Sequence, residues 1–103
     1  MIEMRKWSAS SDLDAAPLAK ELEQLLLAVY KVSPWTAGQV EEVLRSNVNS
    51  CALAEDESKL VGFLVWQETD FEAEVLQIAL LPSYQGQKIG TALFDFLPAD
   101  KEI

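Results

Sequence analysis

A single stretch, Glu74 to Phe94, limits most what this chain can become: EVLQIALLPSYQGQKIGTALF. Its first part, Val75 to Leu81, is an apolar and partly β-branched run closed by Pro82, which predicts a strand. Apolar residues resume at helical spacing in Gly90-Thr91-Ala92-Leu93-Phe94, which predicts a helix. Between them lies the polar loop Ser83-Tyr84-Gln85-Gly86-Gln87-Lys88-Ile89. A strand that runs through a glycine-bearing turn into a helix prepares an anion site. The first N–H groups of the helix have no intrahelical acceptor, and the helix dipole makes that end positive. A phosphate or diphosphate fits there without a catalytic side chain. Gly86 and Gly90 keep side chains out of the way, and Lys88 adds a mobile positive charge.

The rest of the composition narrows the chemistry. At 103 residues the chain is one domain at most, 1–103, with a single modest core. Half the residues are apolar, so the chain is globular. There are 17 acidic against 8 basic residues, a net charge of −9, which argues against nucleic acid and against an anionic membrane surface as partners. The same charge suits a basic peptide, or simply solubility. No histidine is present, which removes Ser–His and Cys–His nucleophilic sites and every His-ligated metal site; no metal site is expected. Cys51 is the only cysteine and reads as a buried free thiol of a cytoplasmic protein. The N-terminus, Met1 to Trp7, lacks the apolar core of a signal peptide, and no apolar run approaches membrane-spanning length.

In order, Ile2 to Ser8 reads as a first strand, with Ile2, Met4 and Lys6 alternating against Glu3, Arg5 and Trp7. Ser10-Ser11-Asp12 offers N-cap oxygens, and Pro17 sets a late helix start near Ala15 or Ala16. That helix runs to about Lys31 with Leu18, Leu22, Leu25, Leu26 and Val29 on one face. Val32-Ser33-Pro34-Trp35 breaks it. Thr36 then caps a second helix, Ala37 to about Asn47, with Gln39 completing a capping box. Ser50 to Glu55 and Leu60 to Glu68 form a hairpin across Asp56-Glu57-Ser58-Lys59, and Gly62 marks a bulge or a close backbone approach. After the turn at Asp70-Phe71-Glu72 the strand from Ala73 returns beside its neighbour as an antiparallel meander.

Gln87-Lys88-Ile89-Gly90-Thr91-Ala92 resembles the Gln/Arg-x-x-Gly-x-Gly/Ala loop of the GNAT N-acetyltransferases, which cradles the pyrophosphate of acetyl-CoA. Ile78 to Gln85 is similar to that family's fourth strand and its exit. Ser33-Pro34-Trp35 resembles the Pro-Trp segment of the ribosomal-protein-alanine branch. The resemblance implies an α/β fold (α+β layered): a mixed, mainly antiparallel sheet with helices packed on it, in the order β-α-α-β-β-β-α. It implies acetyl-CoA as cofactor, held by Gly86, Gln87, Lys88, Ile89, Gly90 and Thr91 and by the main chain of Ile78, Ala79 and Leu80 on a bulged strand. It implies Glu74 as base, thirteen positions before Gln87 as in histone-type members; the alternative is a solvated carboxylate beside Glu68, Asp70 and Glu72. Trp35 either lines an acceptor groove or plugs the core.

The resemblance breaks after Leu97. Full-length relatives continue into a fifth strand and a helix bearing a tyrosine acid, whereas here Pro98 to Ile103 follow and the sequence stops. Strand 73–81 is then expected to present an open edge, suited to homodimer pairing. Three functional readings follow. The first is an acetyl-CoA-dependent N-acetyltransferase acting on a protein N-terminal or lysine amine, such as a ribosomal-protein N-terminus. The second is a truncated, inactive acyl-CoA-binding or dimerisation module. The third is an unrelated α/β interaction domain.

Overall fold

The computed structural model describes residues 1–7 and 15–103. Its elements follow the expected order: β1 (Ile2–Trp7), α1 (Ala15–Tyr30), α2 (Ala37–Arg45), β2 (Asn49–Asp56), β3 (Lys59–Glu68), β4 (Ala73–Leu80), and α3 (Ile89–Phe94) after a 3₁₀ turn at Pro82–Tyr84. Ser8 and the N-cap residues Ser10 to Asp12 lie outside the described residues.

The four strands form one antiparallel sheet in the order β1-β2-β3-β4. Alternation sorts the side chains of β2 and β3 into two cores. Cys51, Leu53, Phe63 and Val65 join Leu18, Leu22, Leu26, Val40 and Leu44 of α1 and α2 on one face. Ala52, Ala54, Leu64 and Trp66 join Ile89 and Leu93 of α3 on the other. Both faces are covered, which is why these strands read as unbroken apolar runs. Burial pushes the Cys51 thiol up to about 12, so it stays protonated at neutral pH and serves as core.

Local signals place the elements. The Thr36 hydroxyl accepts from the Gln39 amide at 3.2 Å while the Gln39 side chain accepts from the Thr36 amide at 2.9 Å, the reciprocal capping box. α1 ends at Tyr30, and Lys31 just after it turns the chain with a left-handed φ of 68°. The hairpin is tighter than expected: Asp56 pairs with Lys59, leaving only Glu57 and Ser58, at φ 49° and 72°, in the turn. Two left-handed residues give the twist a two-residue hairpin needs.

The bulge expected at Gly62 sits one residue earlier. Ala54 pairs with Gly62 and Glu55 with Leu60, so Val61 is the extra residue. Gly62 serves the close approach: a Cβ there would lie 2.8 Å from Leu80 Cδ1 and 3.1 Å from the Ala79 carbonyl. β4 ends at Leu80 rather than Leu81, although the Leu81 amide still donates to Val61 at 2.9 Å.

The expectation of an edge bare from end to end needs correction. Glu102 forms a parallel bridge with Glu72, and the Ala73 amide donates to the Glu102 carbonyl at 2.7 Å. Lys101 anchors this segment, donating to Glu68 at 3.2 Å and to the Thr69 carbonyl at 2.8 Å. Glu68 also accepts from the Trp66 indole at 2.7 Å. That indole hydrogen bond, then Lys101, holds the Glu68 carboxyl below its ordinary value. A depressed carboxyl stabilises the fold above its unfolded pKa of about 4.3, and the contribution fades as pH falls through the folded value. Lys101→Met is therefore expected to lower the melting temperature at pH 7, with the difference from wild type shrinking below about pH 4. A difference constant from pH 7 to pH 3 would contradict this.

No helix among the described residues is long and apolar enough to cross a membrane.

Candidate functional site

The loop leaving β4 is shaped by left-handed residues on either side of Gln87. Gly86 has φ 82°, a conformation for which glycine alone carries no steric cost, and Lys88 has φ 65°. Such a sequence of dihedrals turns successive amides toward one concavity. None of the main-chain N–H groups from Gly86 to Thr91 donates to a protein acceptor among the described residues. They border an open cleft of about 380 Å³ lined by Leu80, Gln85, Gly86, Lys88, Gly90 and Thr91. A Cβ built on Gly90 meets nothing within 4 Å. In a chain of net charge −9, the one formal charge between Pro82 and Phe94 is the Lys88 cation. Free amides, room above Gly90 and one cation together fit a diphosphate.

The loop is braced from below and from the sides. Ile89 and Leu93 are buried in the α3-side core. Gln87 Nε2 donates to the Ser83 carbonyl at 3.2 Å, and the Tyr84 hydroxyl donates to Asp56 Oδ2 at 2.7 Å. That hydrogen bond is the leading cause of two shifts: it holds the Asp56 carboxyl below its ordinary range and pushes the Tyr84 phenol up. Both directions stabilise phenol against carboxylate.

β4 carries a bulge: Trp66 pairs with Val75 and Val65 with Gln77, leaving Leu76 extra. From there the Leu81–Val61 hydrogen bond fixes the alternation. The main-chain groups of Ala79 face Phe63 on β3, and those of Ile78 and Leu80 face the open edge. Of the three residues expected to offer main-chain groups, Ala79 is thus committed to the sheet. The Ile78 carbonyl accepts from the Tyr30 hydroxyl at 2.7 Å, and its amide donates to Gln77 Oε1 at 3.2 Å. The Leu80 carbonyl accepts from Gln85 Nε2 at 3.0 Å.

The structure brings Leu80, Gly86, Lys88, Gly90 and Thr91 to one cleft; the Gln87 side chain turns to Ser83, Ile89 enters the core, and Ile78, Ala79, Glu74 and Trp35 do not line it. Glu74 is exposed near the start of β4, opposite Gln67 and roughly 20 Å along the strand from Leu80. Trp35 is half-buried and packs against the α1/α2 core. Sequence reasoning missed Tyr30, Gln85 and the Asp56–Tyr84 brace. Tyr30 and Ile78 are 48 residues apart, and no local pattern reports such a contact.

Residues 47–103 match the sequence profile of the acetyltransferase (GNAT) domain. The chain belongs to the GNAT acetyltransferase family. The matched region of this GNAT chain contains β2, β3, β4, the loop and α3, and leaves out α1 and α2 with Tyr30 and Trp35. No curated protein matches it by sequence. Among solved structures, it resembles the ribosomal-protein-alanine N-acetyltransferase of Brucella melitensis biovar Abortus, at 20% identity and a TM-score of 0.65, over 92% of this chain and 67% of that one. It is also similar to the aminoglycoside acetyltransferase meta-AAC0020 from an uncultured soil metagenomic sample in complex with sisomicin. There the identity is 19% and the TM-score 0.73, over 91% of this chain and 65% of that one. A third likeness is to AAC(6')-Iy in complex with a CoA-containing bisubstrate analogue, at 14% identity and a TM-score of 0.68, over 92% of this chain and 67% of that one. These identities speak for the fold. The GNAT chain spans about two thirds of the length of these structures.

Proposed function

We propose that the cleft after β4 holds the diphosphate of acetyl-CoA and that the chain serves acetyl transfer to a primary amine. The observation that carries this reading is the row of amides from Gly86 to Thr91 with no protein acceptor, beside open space at Gly90. Acetyl-CoA supplies the activated acetyl thioester. The loop amides donate to the diphosphate, and Lys88 neutralises part of its charge. The outward main-chain groups of Ile78 and Leu80 line the path from the cleft along β4. Glu74, exposed near the far end of that strand, is the proposed base that takes the proton from the amine. Trp35 is the proposed wall of the acceptor groove, on the side of α1 and α2.

The acceptor we propose is a protein N-terminal or lysine amine, with a ribosomal-protein N-terminus the first to try. Aminoglycosides belong in the same test because structural neighbours act on them. Both are cationic, and exposed Asp70, Glu72 and Glu74 favour a cation near the start of β4. A second reading is an acyl-CoA-binding or dimerisation module without turnover, which uses the same cleft and asks for no base. Calorimetric titration with acetyl-CoA, followed by CoA release with alanine-first peptides, lysine peptides and sisomicin, separates the readings. Binding with turnover supports the transferase, and binding without turnover on any acceptor supports the module. No heat at millimolar acetyl-CoA rejects both.

A further inference from the structure

The outer edge of β4 is already occupied by the chain's own side chains. Of the outward main-chain groups at Ile78 and Leu80, both carbonyls and one amide are engaged: by Tyr30 at 2.7 Å, by Gln85 at 3.0 Å and by Gln77 at 3.2 Å. Only the Leu80 amide has no protein acceptor among the described residues. Tyr30 is the distant member of this set. It is the last residue of α1, about half exposed, and it bridges 48 residues of sequence to reach β4. Its hydroxyl is the group through which it reaches the main chain of β4.

We propose that Tyr30 is a displaceable latch on the acceptor carbonyl of Ile78, which an amide-bearing ligand lying along β4 must release in order to pair with the edge. The latch does two things. It satisfies a strand edge that would otherwise invite pairing with another chain. It also discriminates among ligands of the cleft, because only one that brings its own N–H donor repays the broken hydrogen bond. A ligand confined to the loop leaves the latch closed.

The inference rests on the assignment of the loop to acetyl-CoA, so the experiment separates the two. In Tyr30→Phe the ring stays and only the hydroxyl is lost. The first readout is the carbonyl carbon resonance of Ile78 in the ligand-free protein, which is expected to move in the variant. The second is affinity for two probes, acetyl-CoA and adenosine 5′-diphosphate, which carries the diphosphate but no amide arm. The variant is expected to bind acetyl-CoA roughly two- to tenfold more tightly, the worth of one net hydrogen bond, and the diphosphate with unchanged affinity. An Ile78 resonance that does not move overturns the latch. So does acetyl-CoA affinity that stays the same or weakens, and so does a matching gain for both probes. If the wild type binds neither probe, the proposed function fails and the exchange with it, while the Ile78 resonance still decides whether the hydroxyl holds the edge.

Discussion

Replacing Gly90 with phenylalanine is expected to remove acetyl-CoA binding by a factor of about 100 or more while leaving the fold intact. Two facts make the separation clean. A Cβ at Gly90 meets nothing within 4 Å, so the protein itself does not resist a side chain there. Gly90 also lies in the first turn of α3, where exchanging glycine for another residue gains helix stability of a few tenths to about 1 kcal/mol. The ligand has no such tolerance. A ring standing over the loop keeps a diphosphate from the amides of Gly86 to Thr91, and each hydrogen bond to a charged group is worth about 1.5–3 kcal/mol. Losing two is enough for the stated factor. Gly90→Ala should fall between wild type and Gly90→Phe. The check is a titration calorimeter beside a thermal melt: acetyl-CoA affinity within threefold of wild type, in a variant that melts normally, places the diphosphate elsewhere.

Trp66→Ala is expected to cost about 3–5 kcal/mol, the largest stability effect of any single truncation proposed for this chain. Small domains have only about 5–15 kcal/mol in total, so the variant should be largely unfolded in mild denaturant. Trp66 is completely buried and belongs to the α3-side core together with Ile89 and Leu93. It also holds Glu68, which holds Lys101, and Lys6 stands 5.7 Å above its ring. Removing the ring therefore leaves a cavity and releases the clamp on the segment at Glu102. Trp66→Phe keeps most of the apolar bulk and loses only the N–H, so it should cost far less. Urea unfolding followed by circular dichroism measures both. Equal losses for the two variants would mean that the indole hydrogen bond, and not packing, does the stabilising.

The parts of this fold that were legible in the sequence are those whose cause is local. The unbroken apolar runs of β2 and β3, the leucine face of α1 and the Thr36–Gln39 capping box each state their structure within a few residues. The loop after β4 was legible because strand, glycine and helix succeed one another directly. What could not be read is what pairs distant residues. The hydroxyl of Tyr30 on Ile78, Tyr84 on Asp56 and Lys101 on Glu68 join residues between 28 and 48 positions apart, and nothing in their neighbourhoods marks them. The direction of the Ala79 main chain was hidden for another reason. It depends on where the pairing with β3 slips, and apolar pattern alone does not locate a bulge to the residue.

That slip governs more than register. Ala73, Val75, Ile78 and Leu80 all face α3, although the first pair carries odd numbers and the second pair even ones. Leu76 is the step at which the parity of the strand changes. Shorten the chain by that one residue and the count runs true from end to end: Ile78 and Leu80 would roll to the side of α1, or the whole stretch ahead of them would. The segment accordingly tolerates exchange of one side chain for another far better than it tolerates the loss of a single position.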